Sequence, residues 1–383
     1  MTITSAAVQP NPCLLPGPSA IDCPACGGAA GRIVLTAEEV RSEQCWLERF
    51  HAARSSASAA DAKDHAQFTQ SESRSVVACT ACGTLARAPQ PSREKVEATY
   101  EHDVYGDDAL QRLAHNQDRF FVDKLARLAP RLATLHEGAR VLEIGSFVGG
   151  FLRAAEQRGW RATGVDVGEE TTRFVRARGF DVRQGDVLEL DLSASSYQAV
   201  FVWSTFDQLS DPGDVLDQAR ALLRPGGLLV LRVPNGRFET ACLEIRRAAR
   251  GTRRAYHVLC AQAYNNFVSF PYLTGYTPES LCGMLEGHGF ACEQVSGDTI
   301  LPLADERTLP FARREEARVK RAVSRASRRA EQSTGLLFAP WLDVVARRDA
   351  SGQAGFSARA ATVRRRPRTP RRTSSPRRPA RCS

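Results

Sequence analysis

The strongest constraint in this 383-residue chain is a rhythm that begins at Arg140 and holds to Asn235. Short runs of branched apolar residues alternate with segments whose apolar residues recur every three or four positions. "RVLEIGS", "RATGVDVG", "FDVRQGDV", "QAVFVWST" and "LLVLRVPN" read as strands; "GGFLRAAEQRG", "TTRFVRARG" and "PGDVLDQARALLRPGG" read as the helices between them. A strand joined to its neighbour through a helix runs parallel to it, and the helices must then cover both faces of the sheet. The rhythm therefore predicts an α/β fold. Beyond it, "TPESLCGMLEGHGF" predicts a helix capped by Thr277 and ended near Gly289. "ACEQVSG" and "PWLDVVARR" read as two last strands, separated by the charged helical stretch "RREEARVKRAVSRASRRAEQ".

The flanks obey different rules. Residues 1–20 read as a Pro/Ser-rich arm, 21–92 as a small cysteine module, 93–348 as the main domain and 349–383 as a disordered tail. Within the module, residues 37–75 read as a low-complexity, loosely helical insertion. The net charge of +9 belongs to the tail, which holds ten arginines and no acid after Ala350, leaving about −1 for everything before it. A near-neutral body argues against nucleic acid as a partner. No secretory leader and no apolar run of membrane length is visible, so the expected setting is the cytoplasm, with no membrane partner. The oligomeric state is not legible.

Cysteines sharpen the reading of the module. "CPACGG" and "CTACGT" repeat one Cys-x-x-Cys-Gly knuckle, so Cys23, Cys26, Cys79 and Cys82 are expected to converge as four thiolates. Such a set leaves no open coordination position, which is the structural type of Zn2+ site. The alternative is two unrelated turns, with Cys45 a weaker candidate ligand.

In the main domain, "VLEIGSFVGGFL" joins a strand to a helix through a glycine turn, where backbone N–H groups can receive an anion. Asp166 ends the next strand and suits a ribose diol, while Asp186 follows the third strand beside an expected adenine edge. A purely structural turn or a dinucleotide-binding unit is the alternative. The ordered motifs "VLEIGS-x-x-GG", "GVD", "GDV" and "LLRPGGLLVLRVPN" resemble those of class I S-adenosylmethionine-dependent methyltransferases over roughly residues 100–348. That resemblance implies a Rossmann-like sheet and S-adenosylmethionine as cofactor. It also implies that Glu143, Gly145, Gly149, Asp166 and Asp186 cradle the cofactor. Phe147 departs from the small residue many relatives carry. The ribbon-like module ahead of the domain resembles bacterial methyltransferases of sugars and other small metabolites, implying a small-molecule acceptor.

For chemistry, Asp207, His257 and Tyr105 are the candidates, each with an ordinary structural alternative; Tyr100, Asn265 and Asn266 lie near them in sequence. Relatives with a ribbon carry Glu-His where this chain has Asp207-Gln208, and a glutamine cannot accept a proton as a histidine does. Two further readings stand beside the small-molecule enzyme: a nucleic-acid methyltransferase using the ribbon and basic tail, and a non-catalytic scaffold.

Overall fold

The computed structural model describes residues 19–56, 74–101, 105–262, 265–268, 270–299 and 308–349. The expected arm except Ser19 and Ala20, the middle of the insertion and the Arg-rich tail beyond Asp349 lie outside the described residues.

The alternating segments build the expected sheet. Strands β5 (Arg140–Ile144), β6 (Arg161–Asp166), β7 (Val182–Gln184), β8 (Tyr197–Trp203), β9 (Leu223–Pro234), β11 (Phe290–Asp298) and β12 (Trp341–Arg348) form one seven-stranded layer. Its order is β11-β12-β9-β8-β5-β6-β7. The five strands β5 to β9 run parallel, and β12 lies antiparallel to both β9 and β11. The strand order reverses between β5 and β8, and at such a switch point the loops diverge and leave a crevice.

Neighbouring residues serve opposite faces. Leu142, Val200, Val202, Leu229 and Leu231 enter one apolar cluster, whereas Val141, Ala199, Phe201, Leu228 and Val230 enter the other. This period of two explains why the strands read as continuous apolar runs: both faces are dry. Burial of each such side chain contributes about 1.5–3 kcal/mol. Thr277 caps the Pro278–Gly287 helix as expected, accepting from Ser280 N at 3.1 Å. Cys282 and Cys292 form a disulfide between that helix and β11.

The N-terminal module is a second sheet, of β1 (Ser19–Ala20), β2 (Ala30–Leu35), β3 (Ser75–Cys79), β4 (Leu85–Ala88) and β10 (Thr274–Gly275). Its last strand is supplied by the segment that interrupts the main rhythm, with Thr274 opposite Ala86 and Gly275 opposite Leu85. The insertion also differs from expectation. Residues Ala37–Ala52 form a helix opened by a capping box, in which Glu39 N donates to Thr36 Oγ1 (3.2 Å) and Thr36 N to Glu39 Oε2 (2.9 Å). Its buried stripe is Val40, Glu43, Leu47 and Phe50, spaced 3, 4 and 3. The acid in that stripe masks its amphipathic period. Glu43 is buried because Arg246, itself fully buried on the Gly236–Ala248 helix, pairs with it.

Two more buried arginines tie the module to the main domain. Arg87 donates to the carbonyls of Phe267 (2.6 Å), Tyr272 (2.8 Å) and Val268 (3.1 Å). Arg54 reaches Glu315 (2.6 Å) and Glu316 (3.3 Å) on the long Pro310–Thr334 helix, and the Tyr256 hydroxyl at 2.6 Å. Among the described residues, no helix is long and apolar enough to cross a membrane.

A candidate donor pocket and a four-cysteine cluster

At the switch point the C-terminal ends of β5, β6 and β8 open into a cavity of about 380 Å³, within the range of sites for small molecules and cofactors. The glycine turn forms its floor. Gly145 has φ 79°, and a Cβ on it would stand 2.1 Å from Thr205 Oγ1, so only glycine lets the β5 turn pass beneath the β8 loop. Gly145 N and Ser146 N both donate to Val165 O, at 2.8 and 3.1 Å, pinning the turn to β6. Phe147 takes φ 45°, a left-handed conformation that costs a bulky side chain energy. Its N–H donates to Asp166 Oδ2 (2.7 Å), and its ring meets Tyr105 edge-on with centroids 5.6 Å apart. Phe147 and Ser204 (φ 53°) both line the cavity, so local strain is concentrated where a ligand would lie.

Glu143 is the most telling group. It is 2% exposed, its Oε2 has no hydrogen-bond partner, and it faces the cavity. Burial pushes its carboxyl well above the usual range, and the charge of Asp166 adds to the push. A cation placed here would satisfy the oxygen and restore ionisation. Asp166 is held by Phe147 N, Gly168 N (2.9 Å) and the Thr171 hydroxyl (3.1 Å). Burial raises its carboxyl against those three donors. Asp186 accepts from Leu188 N at 2.9 Å and pairs with Arg93, which also reaches Glu97 at 2.5 Å. Four of the five expected cradle residues line the cavity. The exception is Gly149, which has φ 76° at the start of the Gly150–Glu156 helix. A Cβ there would crowd Val175 at 3.1 Å, so its role is packing.

The chemical candidates separate. Tyr105 lines the cavity, as do Tyr100, whose hydroxyl donates to Gln208 Oε1, and Gln208, whose Nε2 donates to Ser204 O at 2.6 Å. Asp207 does not line it. The side chain is fully buried with both oxygens unpartnered, and burial pushes its carboxyl up to about 8. His257 is exposed on the Arg253–Gln262 helix beside Tyr256, away from the cavity. The expectation that Asp207 and His257 face the reacting end therefore needs correcting. The chain turns the amide of Gln208, rather than the acid beside it, toward the cavity. Asn265 and Asn266 also lie outside the lining; Asn266 Oδ1 accepts from Val268 N at 3.0 Å. Sequence reasoning missed Arg93, Trp203 and Phe270, all in the cavity wall. Arg93 was legible only as part of a helix, because its partner Asp186 lies 93 residues away.

The four knuckle cysteines meet as expected, their sulfurs all within 4.8 Å of one another. Cys23 and Cys82 are 3.6 Å apart, and Cys26 and Cys79 are 3.7 Å apart. A tetrahedron with Zn–S bonds of about 2.3 Å has edges of about 3.8 Å, so the donor set fits zinc. Gly28 makes room, since a Cβ there would lie 3.2 Å from Cys26 Sγ and 3.3 Å from Cys79 Sγ.

Comparison with known proteins gives matches within the main domain. Residues 113–295 match the family described as a methyltransferase domain. A protein of Mycolicibacterium smegmatis described as a probable S-adenosylmethionine-dependent methyltransferase is 33% identical over 107 residues, 27% of this chain and 42% of its own length. A ubiquinone biosynthesis O-methyltransferase of Xanthomonas axonopodis is 27% identical over 182 residues, 45% of this chain and 68% of its own. The alignment thus spans less than half of the first relative. The solved structure of an S-adenosylmethionine-dependent methyltransferase from Mesorhizobium loti shares 18% identity, covers 59% of this chain and 100% of its own, and has a TM-score of 0.38.

Proposed function

We propose that this chain, whose residues 113–295 match a methyltransferase domain family, transfers a methyl group from S-adenosylmethionine to a small-molecule acceptor. The observation that carries the reading is the buried, unpartnered carboxylate of Glu143 facing a 380 Å³ cavity at the switch point. A scaffold has no use for such a group, which costs stability wherever it stays unpaired. Glu143 would hold the ammonium of the methionyl part, and the Gly145 turn would pass beneath it. Asp166 would take the ribose hydroxyls, and Asp186, fixed by Arg93, would border the base. When bound, the sulfonium supplies an electrophilic methyl group.

This chain's own residues would then do the positioning. Tyr100, Tyr105, Gln208, Trp203 and Phe270 would enclose the acceptor end and exclude water, with Gln208 held in one orientation by Tyr100 and Ser204 O. Alignment for in-line displacement can supply much of the acceleration, about 7–11 kcal/mol in favourable cases. Tyr105 is the remaining candidate for a group touching the acceptor. The ubiquinone-biosynthesis relative supports a small acceptor. The four cysteines would hold a structural zinc ion that shapes the module over the site.

Calorimetric titration of S-adenosylhomocysteine tests the cradle. One site per chain is expected, with affinity reduced about 10–100-fold in Asp166→Ala, the loss of hydrogen bonds to a charged group. Glu143→Gln should bind more weakly still while folding normally. Heat-silent titrations of well-folded wild-type protein would sink the proposal.

A further inference from the structure

The near-neutral net charge of the body conceals a segregated surface. On the Pro310–Thr334 helix, Arg314, Arg318, Arg321, Arg325, Arg328 and Arg329 are all exposed. Their spacing of three, four and one residues keeps them on one face, a row of roughly 22 Å at 1.5 Å per residue. None of the six forms an ion pair with an acid among the described residues. The acids of the same helix turn away. Glu315 and Glu316 point inward to Arg54, Glu316 also nears Lys320 at 4.0 Å, and Glu331 lies toward Gly297. The neighbouring Arg253–Gln262 helix adds exposed Arg253 and Arg254. Like charges at this helical spacing repel one another, so the row gathers counterions that an anionic partner would displace.

We propose that this row binds the phosphate backbone of a nucleic acid. The chemistry between the arginines decides the class. Only Ala322 and Ala326 are exposed along the row, and the large exposed apolar residues, Phe311 and Leu336, lie beyond its ends. A protein interface needs a central aromatic or apolar anchor, and a membrane-surface helix needs an apolar face; this row has neither. Binding through phosphate contacts alone needs only an extended set of cations, each displacing counterions. The row is independent of the donor pocket, so the proposal and the methyl-transfer reading can fail separately.

Fluorescence anisotropy of a labelled 20-nucleotide single-stranded RNA, titrated with the full chain between 50 and 300 mM KCl (concentrations of roughly the range over which phosphate contacts are lost), tests it. Replacing Arg314, Arg318, Arg321 and Arg325 together by glutamine should flatten the slope of log affinity against log salt by about 3, at about 0.7 per phosphate contact. Replacing the same four by lysine should keep the slope, because backbone phosphates read charge. Asp166→Ala should bind RNA as the wild type does, whatever happens to its S-adenosylhomocysteine affinity. An unchanged slope in the glutamine variant overturns the proposal, since other arginines, including those after Ala350, would then carry the contacts. So does tighter binding of the wild type to phosphatidylglycerol vesicles or to polyglutamate than to RNA at equal salt.

Discussion

The donor pocket and the seam between module and main domain handle buried charge in opposite ways. In the pocket, Glu143 is kept unpaired and its ionised form is disfavoured. Along the seam, each buried arginine has found acceptors: Arg246 takes Glu43, Arg54 takes Glu315 and Glu316, and Arg87 takes three backbone carbonyls. An unsatisfied acid is useful where a ligand is to be received, whereas the closed seam gives its cations acids or, for Arg87, carbonyl oxygens alone. The difference distinguishes a site from a joint without reference to any relative.

Metal removal should have the largest effect on that contrast. Chelation is expected to release one zinc ion per chain, measured by atomic emission, and to raise hydrogen exchange in β2, β3, β4 and residues 270–276. S-adenosylhomocysteine affinity should fall little. Loss of both together would show that seam and pocket are one cooperative unit. Next, Glu43→Ala leaves Arg246 buried without its ion-pair partner, and should lower unfolding free energy by about 3–5 kcal/mol in urea. Pairing it with Arg246→Met should recover much of that loss; no recovery would mean the charge pair is not what closes the joint. A third test is the pH response of Asp207. Its folded-state pKa of about 8 exceeds its ordinary 3.8, so its contribution favours folding below about pH 4 and is lost as pH rises toward 8. Asp207→Asn should therefore melt higher than wild type at pH 8.5, and by a clearly smaller margin at pH 5. Equal melting at both values would show that the acid finds a partner in solution.

Legibility followed the same division. The parallel sheet, the glycine turn and the acids at the strand ends could be read because each is a local pattern: a period, a turn or a cap within a dozen residues. The cysteine cluster was readable across 52 intervening residues because its two halves repeat one motif. The seam was not. Glu43 looks like a polar interruption until Arg246 is placed against it, 203 residues on. The same limit misassigned Asp207 and Gln208: adjacent residues in the loop after β8 turn opposite ways, and their order alone does not say which faces the cavity. Net charge carries little information of this kind, because it sums over surfaces that the fold keeps apart.

The pairing of β4 with β10 also bears on how the protein is made. The module's sheet is finished by Thr274 and Gly275, and its buried charges wait on residues from Arg246 to Glu316. At bacterial-type synthesis rates the ribosome needs roughly 10–40 s to travel from Ala88 to Thr274. Throughout that interval the emerging module has an open strand edge and unmatched arginines. Its native arrangement therefore waits on docking against the later half of the chain.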